Sequence, residues 1–570
     1  MFRYFLHAYV LLIALVTVPG GLRAQLGKAV QPVRLQDTLR GRPDGPGRSF
    51  DVHYYGLRIR LFPTTKMLAG ANEIHLRPYQ NMDSLRLDLN RRFHVDSVLL
   101  QGVAGTKRHL KLRRDDSRLW VHAPDSGLRS GMSYRLWVFY RGRPPQAPKP
   151  PWQGGFVWSR DSLQRPWIGV ACQGIGARTW WPCKDHPQAE PDSIDMWYEV
   201  PQPLRAVGNG RLIDSADFLV DDTPYRRFHW RVRHPINLYN VTMNVARYVS
   251  IADTAAGLAT TAHYHVLDYH RERAGRYFRK EVPQMFEAFT HWFGPYPFPE
   301  DGYQLVETPY WGMEHQSAVA YGNAFKKNSY GFDFILIHET AHEYWGNSIS
   351  AADAGQLWLH ESFATYAEAL YLEYHAGKEV ASEYLLKQRE RIKNKVRIFG
   401  PQDIAFHNWA DNDLYYKGAW MLHTYRQAAR LSDQNWRLLL RFLSRRFARQ
   451  VVDSRELCEA MDRFARQQLK RPLSWTDAFW DAYLHTADIP ELQWRWASPS
   501  AEQAPSRLQL RWSHSEADFS MPVPIVYDGR THWARPRSGK WTSVSAIQKE
   551  AGKELRWPER DLLIQVQPVR

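Results

Sequence analysis

HETAHEYWG, at residues 338–346, is the stretch of this 570-residue chain from which its fold and chemistry are inferred. His338 and His342 are four residues apart, so in a helix both imidazoles project from one face and can bind a single zinc ion. Glu339 lies one residue further round the helix, where its carboxylate faces a water on the metal rather than the metal itself. The spacing therefore predicts a zinc-binding helix with an acid–base group beside the ion.

A second acidic stretch, LWLHESFATYAE, occupies residues 357–368. Eighteen residues separate His342 from Glu361, which we predict to be the third protein ligand, leaving the fourth zinc position open as in a catalytic site. Glu368 lies two helical turns after Glu361 and faces the same way. It either holds a ligand histidine by its far N–H or is an ordinary glutamate. Glu343 is interpreted as structural.

Length and composition set the class of protein. A mass of 66.7 kDa is too large for one core and favours about three or four domains. Charged residues make up 24% and apolar residues 44%, which argues against extensive disorder. The net charge of +16 first suggests a nucleic-acid binder. However, the basic residues are scattered and no nucleic-acid module surrounds them, so we predict no nucleic-acid partner.

The N-terminus has the layout of a secretory signal peptide, with Arg3 before the apolar run VLLIALVTV and Ala24 before a suitable cleavage point. The run is shorter than the ~20 residues that span a bilayer, and an uncleaved anchor is the weaker interpretation. We therefore predict a signal peptide at 1–24, a linker at 25–48, and an exported, periplasmic or secreted protein without a membrane span.

The cysteine count excludes a scaffold built on disulfides. Cys172 and Cys183 are close enough in sequence to pair, but two buried thiols are an equal alternative. Cys458 is then left over.

The pattern along the chain predicts a multidomain α+β protein. Short alternating segments indicate an N-terminal β domain at 49–251, interrupted by the proline-rich loop PPQAPKPPWQGG at 144–155. Apolar residues at helical spacing indicate a mainly helical domain at 252–490. Strand-like segments return in a small C-terminal β-sandwich at 491–570. The helices are expected at about 356–374, 379–397, 415–430, 433–448 and 453–468, in addition to the zinc-binding helix and one around RERAGRYFRKEVPQMFEAFTHWFG.

Four further segments complete an ordered set with the zinc motif. They are WGMEHQSAVAYG at 311–322, ACQGIGARTWWPCKDHP at 171–187, DLYYKGAWMLH at 413–423 and DAYLHTADIPELQWRW at 481–496. From about residue 50 to 490 the chain resembles the zinc aminopeptidases of the aminopeptidase N and leukotriene-hydrolase family, gluzincins with an N-terminal β saddle and a thermolysin-like catalytic domain. The resemblance implies hydrolysis of N-terminal residues from peptides.

The resemblance also implies the roles of the residues around the metal. His338, His342 and Glu361 are the expected ligands of one zinc ion per chain. Glu339 is the expected general base for attack of a zinc-bound water on the scissile carbonyl. Tyr415, rather than Tyr416, is expected to stabilise the oxyanion.

A second group of residues is expected to bind the substrate. WGMEHQ is similar to the family's G-x-M-E-N motif, which places Glu314 where it binds the free α-amine of the peptide. Gln173 and the backbone of Gly174 are expected to line the cleft. Gly312 and Met313, on the same strand edge as Glu314, complete the predicted substrate-binding set.

The chain departs from the family pattern in two places. His315 stands where the motif has asparagine; we interpret it as a hydrogen-bonded residue without a catalytic duty. Only about 80 residues follow Trp494, which cannot accommodate the long helical C-terminal domain of many relatives. Weaker control of substrate length is therefore expected.

Three other functions remain as alternatives. A thermolysin-type endopeptidase shares the ligands but not the amine-binding Glu314. A binding or scaffold protein would keep the fold and lose ligands or base, whereas those positions are intact here. An epoxide hydrolase activity has no sequence feature that requires it.

Overall fold

The computed structural model describes residues 45–102, 105–404, 411–498, 506–513 and 518–569. The predicted signal peptide at 1–24 lies outside the described residues, as does most of the predicted linker at 25–48. Among the helices that are described, none combines the length and the apolar character needed to cross a bilayer.

The N-terminal part of the described chain is a twisted β structure, because its segments alternate apolar and polar residues and bury one face. Its largest sheet has eight strands, in the spatial order Arg211–Val220, Thr223–Val232, Ser193–Pro201, Phe50–Phe62, Met67–Pro78, Tyr134–Gly142, Phe93–Gln101 and Lys107–His109. A four-stranded sheet contains Arg205–Val207, Asn244–Ala246, Pro166–Ala171 and Gly155–Arg160. A three-stranded sheet contains Ser84–Asp88, Arg118–His122 and Leu112–Asp115. Their inner faces share one apolar core.

A five-stranded sheet connects this region to the helices. Its order is Tyr248–Thr254, Thr261–Leu267, Tyr303–Glu307, Val319–Tyr321 and Gly312–Met313. The short strand Gly312–Met313 is therefore at the edge, paired antiparallel on one side only with Val319–Tyr321 among the described residues. This edge strand contains the middle of the predicted substrate-binding motif.

The helices predicted from the spacing of apolar residues are present in the middle of the chain. They are Arg271–Trp292, Phe334–Ala341, Trp358–Ala376, Lys378–Arg389, Tyr416–Ala428, Asp433–Arg446 and Ser454–Leu469. A further short helix, Thr476–Trp480, was not predicted. We call Phe334–Ala341 the ligand helix, Trp358–Ala376 the glutamate helix and Tyr416–Ala428 the tyrosine helix. The side chain of Asp333 caps the ligand helix by accepting a hydrogen bond from the backbone N–H of Leu336.

One helix is shorter than the sequence predicts. The helix expected at 379–397 ends at Arg389. Beyond it, the backbone N–H groups bond to carbonyls three residues back or to side chains instead of continuing the helix. Asn394 has a left-handed φ of 50°. The backbone N–H of Lys393 donates to Asp413 Oδ1 at 2.7 Å instead of to a helical carbonyl. The charge pattern of KQRERIKNKVR does not reveal this competition.

Strands return after the last helix. One sheet has the order Thr542–Gln548, Arg507–Ser513, Glu491–Ala497 and Gln565–Pro568, and a second has Arg530–Ala534, Val523–Tyr527 and Leu555–Arg556. The β, helical and β regions follow the predicted fold class. Apolar residues of this last region join the core of the helical region without a break. The domain limits near 251 and 490 remain predictions.

All three cysteines lie within the described residues, where they are buried and form no disulfide bond. Burial is the main reason that the pKa of each thiol is raised. A structural role as buried thiols therefore fits Cys172 and Cys183 in this structure.

Candidate metal centre and substrate cleft

Three ligand atoms of the predicted metal site converge at the end of the ligand helix. His338 Nε2 lies 3.3 Å from His342 Nε2 and 3.5 Å from Glu361 Oε2. The distance from His342 Nε2 to the same oxygen is 3.6 Å. Tetrahedral zinc with ligands at ~2.1 Å holds pairs of ligand atoms about 3.4 Å apart. Two imidazoles and one carboxylate in this arrangement therefore fit one zinc ion.

Both histidines present the correct ring nitrogen to the metal, because the other nitrogen is already engaged. His338 Nδ1 lies 2.7 Å from Glu368 Oε1, and His342 Nδ1 lies 3.0 Å from the carbonyl oxygen of Trp345. A hydrogen bond from each Nδ1–H leaves Nε2 with its lone pair for the ion. Of the two interpretations of Glu368, the structure supports the one in which it holds a ligand histidine.

The ligand side chains shift one another's pKa values. Burial lowers the pKa of His338, but hydrogen bonds to Glu361 and Glu368 outweigh burial and raise that pKa well above its usual value. Burial raises the pKa of Glu361, but hydrogen bonds with His338 and His342 hold it well below its usual value. A divalent cation therefore competes with protons for these imidazoles, and its affinity should fall as the pH falls.

Glu368→Gln is expected to weaken zinc binding about 10- to 100-fold, because it removes the negative charge that orients His338 and makes it basic. Tyr384 and Gln388 also donate hydrogen bonds to Glu368 Oε2, so its position is independent of the metal. Competition with a fluorescent zinc chelator measures the affinity, and Glu383→Gln on an exposed site nearby is the matched control. Equal affinities for both variants would contradict the assigned role.

Glu339 lies beside the metal ligands and directly under the edge strand. A Cβ on Gly312 would lie only 2.5 Å from Glu339 Oε1. Glycine at this position therefore lets the strand pass close to the carboxylate. Burial raises the pKa of Glu339 to about 7, against the opposing effect of His338 and His342. A cation in the site would lower that pKa. The carboxylate can therefore accept a proton near neutral pH.

Glu314 directly follows the edge strand, two residues after Gly312, and is 3% exposed. Its Oε1 accepts hydrogen bonds from Gln173 Nε2 at 2.7 Å and from the hydroxyl of Tyr239 at 3.0 Å. Gln173 Nε2 also lies 3.2 Å from Glu361 Oε1. The predicted amine-binding carboxylate, the predicted cleft glutamine and a metal ligand are thus joined in one network.

Met313 takes a different place from the other predicted substrate-binding residues. Its side chain is 2% exposed and packs in a small apolar cluster with Ala171, Tyr310 and Ala320. Only its backbone is available for contact with a substrate. Gly312 also contributes backbone alone.

The structure distinguishes the two adjacent tyrosines. The ring of Tyr415 lies 6.1 Å from the ring of His338. Burial, and then the negative charges of Glu361, Glu314 and Glu339, raise the pKa of Tyr415 well above its usual value, so the hydroxyl stays protonated. Tyr416 instead accepts a hydrogen bond from Arg391 at 3.0 Å. Tyr415 is therefore the one at the metal centre.

The tyrosine helix is held close to the glutamate helix. A Cβ on Gly418 would lie 1.8 Å from Ser362 Oγ, and that hydroxyl donates to the carbonyl of Leu414 at 2.9 Å. Lys417 donates its ammonium to the carbonyls of Thr486 and Ala487. These contacts fix Tyr415 relative to the neighbouring Glu361.

Glu343 and His315 lie behind the site. Glu343 accepts hydrogen bonds from Tyr296, from the backbone of Ser317 and from Asn347, which agrees with a structural role. His315 is fully buried, and neither ring nitrogen has a hydrogen-bond partner within the described chain. The expectation of a hydrogen-bonded ring is therefore not met. Burial lowers the pKa of His315 to about 3, so the ring is neutral.

Three contributors to the cleft were not found from the sequence. Tyr239 is 75 residues before Glu314 and has no local signal. Tyr384 belongs to the helix after the glutamate helix. Trp311 could have been found, because aligning W-G-M-E-H with G-x-M-E-N puts it at the position of the motif's first glycine.

Comparisons with known proteins show what the central part of the chain is similar to. Residues 280–480 match the model of the peptidase family M1 domain. Aminopeptidase B of Mus musculus is 24% identical over 251 residues, 41% of this chain and 36% of that protein. Leucine aminopeptidase 2 of Emericella nidulans is 22% identical over 226 residues, 38% of this chain and 34% of that protein. The chain thus spans about a third of the length of these relatives.

A solved structure extends the similarity to the fold. A mutant M1 zinc metallopeptidase from Deinococcus radiodurans, bound to a Tyr-Ser-Ala substrate, aligns with a TM-score of 0.62 and 19% identity. The alignment covers 78% of this chain and 96% of that chain. The described chain therefore shares the fold of this structure. The central part of this chain, residues 280–480, is similar to the peptidase family M1 domain, which agrees with the resemblance inferred from the motifs.

Proposed function

We propose that the protein is a zinc-dependent aminopeptidase that removes N-terminal residues from peptides, with one zinc ion per chain. The main support is the distance between the amine-binding carboxylate and the metal centre. Ligand atoms of Glu314, Glu339 and His342 all lie within 4.8 Å of one another. The two relatives named above are aminopeptidases by name, which is consistent with the proposal.

This short distance matches the length of one amino acid. The α-nitrogen and the carbonyl carbon of a residue are about 2.5 Å apart. A carboxylate so close to His342 can pair with the ammonium of the same residue whose carbonyl lies at the metal. An endopeptidase needs room for the chain to continue there. Glu314, with Gln173 and Tyr239 bonded to it, fills that space, so the aminopeptidase is favoured.

The residues then divide the chemistry among them. Zinc, when bound, supplies a Lewis acid that makes water acidic and polarises a carbonyl. Glu339 takes the proton of the attacking water and passes it to the departing amine. Tyr415 donates a hydrogen bond to the oxygen that becomes negative. Glu314 holds the terminal ammonium in place throughout.

A cavity lies against Tyr239, whose hydroxyl donates a hydrogen bond to Glu314. It is open to solvent on one side, and Gly174 and Tyr239 are among its lining residues. The walls near the network are mainly apolar, with Leu238, Tyr239, Ala354 and Leu357 among the lining residues. We propose that it accepts the side chain of the residue that is released.

The proposal is tested with leucine p-nitroanilide and its N-acetyl form. We expect the free amine to be cleaved more than about tenfold faster, because acetylation removes a charged hydrogen bond and leaves Glu314 unpaired. A zinc chelator should abolish both rates and added zinc should restore them. Equal cleavage of the two substrates would favour the endopeptidase alternative. Purified protein without zinc and without hydrolysis would favour a scaffold.

The compartment is part of the same proposal. The signal-peptide pattern at 1–24 supports export, with peptides of the periplasm or the exterior as substrates. N-terminal sequencing of the protein after secretion from a native-type host tests this, with a mature end near Gln25 as the expected result.

A further inference from the structure

Three aromatic side chains that have no role in the proposed chemistry lie in line beside the metal centre. The ring centroids of Trp152 and Trp311 are 6.1 Å apart, and those of Trp311 and Phe334 are 5.4 Å apart. All three residues are only partly buried. We call Trp152, Trp311 and Phe334 the aromatic wall.

The aromatic wall reaches the metal ligands directly. Phe334 stacks on the ring of His338, with centroids 5.4 Å apart and an interplanar angle of 26°. Both residues belong to the ligand helix, where residues four apart share one face. Phe334, at the inner end of the aromatic wall, is therefore beside the metal centre, where the scissile bond must lie.

The edge strand determines on which side of the scissile bond the wall lies. Gly312 is beside the carboxylate of Glu339, which acts at the bond that is cleaved. Glu314, two residues further on, is on the side of the peptide's N-terminus. Trp311 precedes Gly312 and, at about 3.3 Å per residue of extended chain, lies in the opposite direction. The wall is therefore on the leaving-group side.

The outer end of the aromatic wall is supplied by the proline-rich loop at 144–155. The loop is held by backbone hydrogen bonds, from Gln153 to Lys149 at 2.8 Å and from Phe156 to Pro145 at 2.8 Å. A Cβ on Gly154 would lie 2.5 Å from the carbonyl oxygen of Ala171, so the loop lies tightly on the strand that leads to Gln173. The position of Trp152 is thus determined by a fixed loop.

We infer that the aromatic wall binds an aromatic or large aliphatic side chain on the first residue after the scissile bond. The inference rests on the proposed function and names a preference of that same site. Partly exposed rings lose water when an apolar side chain covers them, and aromatic rings add edge or stacking contacts. Glycine or alanine at that peptide position leaves the rings exposed to solvent.

The test uses the tripeptides Ala-Phe-Ala and Ala-Ala-Ala, which differ only in the residue after the first peptide bond. We expect the zinc-loaded protein to show a kcat/KM about tenfold higher for Ala-Phe-Ala, the range that one apolar pocket contact provides. Trp311→Gly should bring the ratio of the two kcat/KM values, both measured on the same variant, close to one. Trp152→Ala should reduce the ratio by a smaller factor.

Trp533→Ala is the matched control, since Trp533 is also partly exposed, at 36%, and lies in the C-terminal β region. Circular dichroism of each variant shows whether it is folded, and Trp152→Ala remains informative if Trp311→Gly unfolds. An unchanged ratio in Trp152→Ala and in folded Trp311→Gly overturns the inference. A kcat/KM for Ala-Ala-Phe as high as that for Ala-Phe-Ala also overturns the inference. Failure of the zinc-loaded protein to cleave any of the three peptides contradicts the proposed function instead.

Discussion

Glu339→Gln is expected to lower kcat by about 10²- to 10⁴-fold while the protein still binds one zinc ion per chain. Glutamine has the shape of glutamate but cannot accept the proton of the attacking water. Glu339 is buried at 8% exposure and is not one of the three converging ligands, so the metal affinity should change little. Steady-state kinetics on leucine p-nitroanilide and metal analysis of the same sample measure the two effects.

The control for this variant is Glu379→Gln, a change of the same chemistry in the first turn of the helix after the glutamate helix. It should keep the original kcat. Retention of more than about a tenth of the original kcat in Glu339→Gln would mean that another group takes the proton. Glu314 is a candidate, because its carboxylate lies within 4.8 Å of that of Glu339.

The metal centre was predictable because its three ligands lie at short, fixed spacings on two consecutive helices. A spacing of four residues puts His338 and His342 on one face of the ligand helix. Glu361, in the first turn of the glutamate helix, supplies the third ligand atom. Each of these relations is local or spans one helical hairpin. The position of Tyr415 followed from a motif rather than from geometry, and the structure shows why it differs from Tyr416: only its ring contacts His338.

The support of the site was less predictable, because its partners come from distant parts of the chain. Seven residues after Glu361, Glu368 was expected on the correct face, but its partners Tyr384 and Gln388 depend on how the next helix packs. Tyr239 reaches Glu314 from the N-terminal β region. Long-range packing of this kind leaves no periodic signal in the sequence.

His315 shows the limit of reasoning from a motif. A polar residue at this position was expected to have hydrogen-bond partners, since buried polar groups almost always have them. The ring is instead enclosed without a partner within the described residues, and it is neutral because burial lowers its pKa to about 3. The backbone of His315 still bonds to Met313 at 2.9 Å. The turn after the edge strand is thus held without the His315 ring, by this backbone bond and by the side chains of Glu343 and Asn347.

Glu314→Ala is expected to lower kcat/KM for peptides with a free N-terminus by about 10- to 150-fold, the equivalent of one hydrogen bond to a charged group. The change removes the acceptor of the terminal ammonium and leaves the donors of Gln173 and Tyr239 unpaired. Zinc content should remain at one ion per chain, because the three ligands do not include this residue.

The decisive measurement is the ratio of rates for leucine p-nitroanilide and its N-acetyl form. In the original protein the ratio measures the charge of the amine, whereas in Glu314→Ala it should fall close to one, because no carboxylate remains to distinguish them. Glu300→Ala, at a side chain that is 68% exposed, is the control and should keep the original ratio. A ratio that survives in Glu314→Ala would mean that another acid binds the amine. Glu361, which also accepts a hydrogen bond from Gln173, is one candidate.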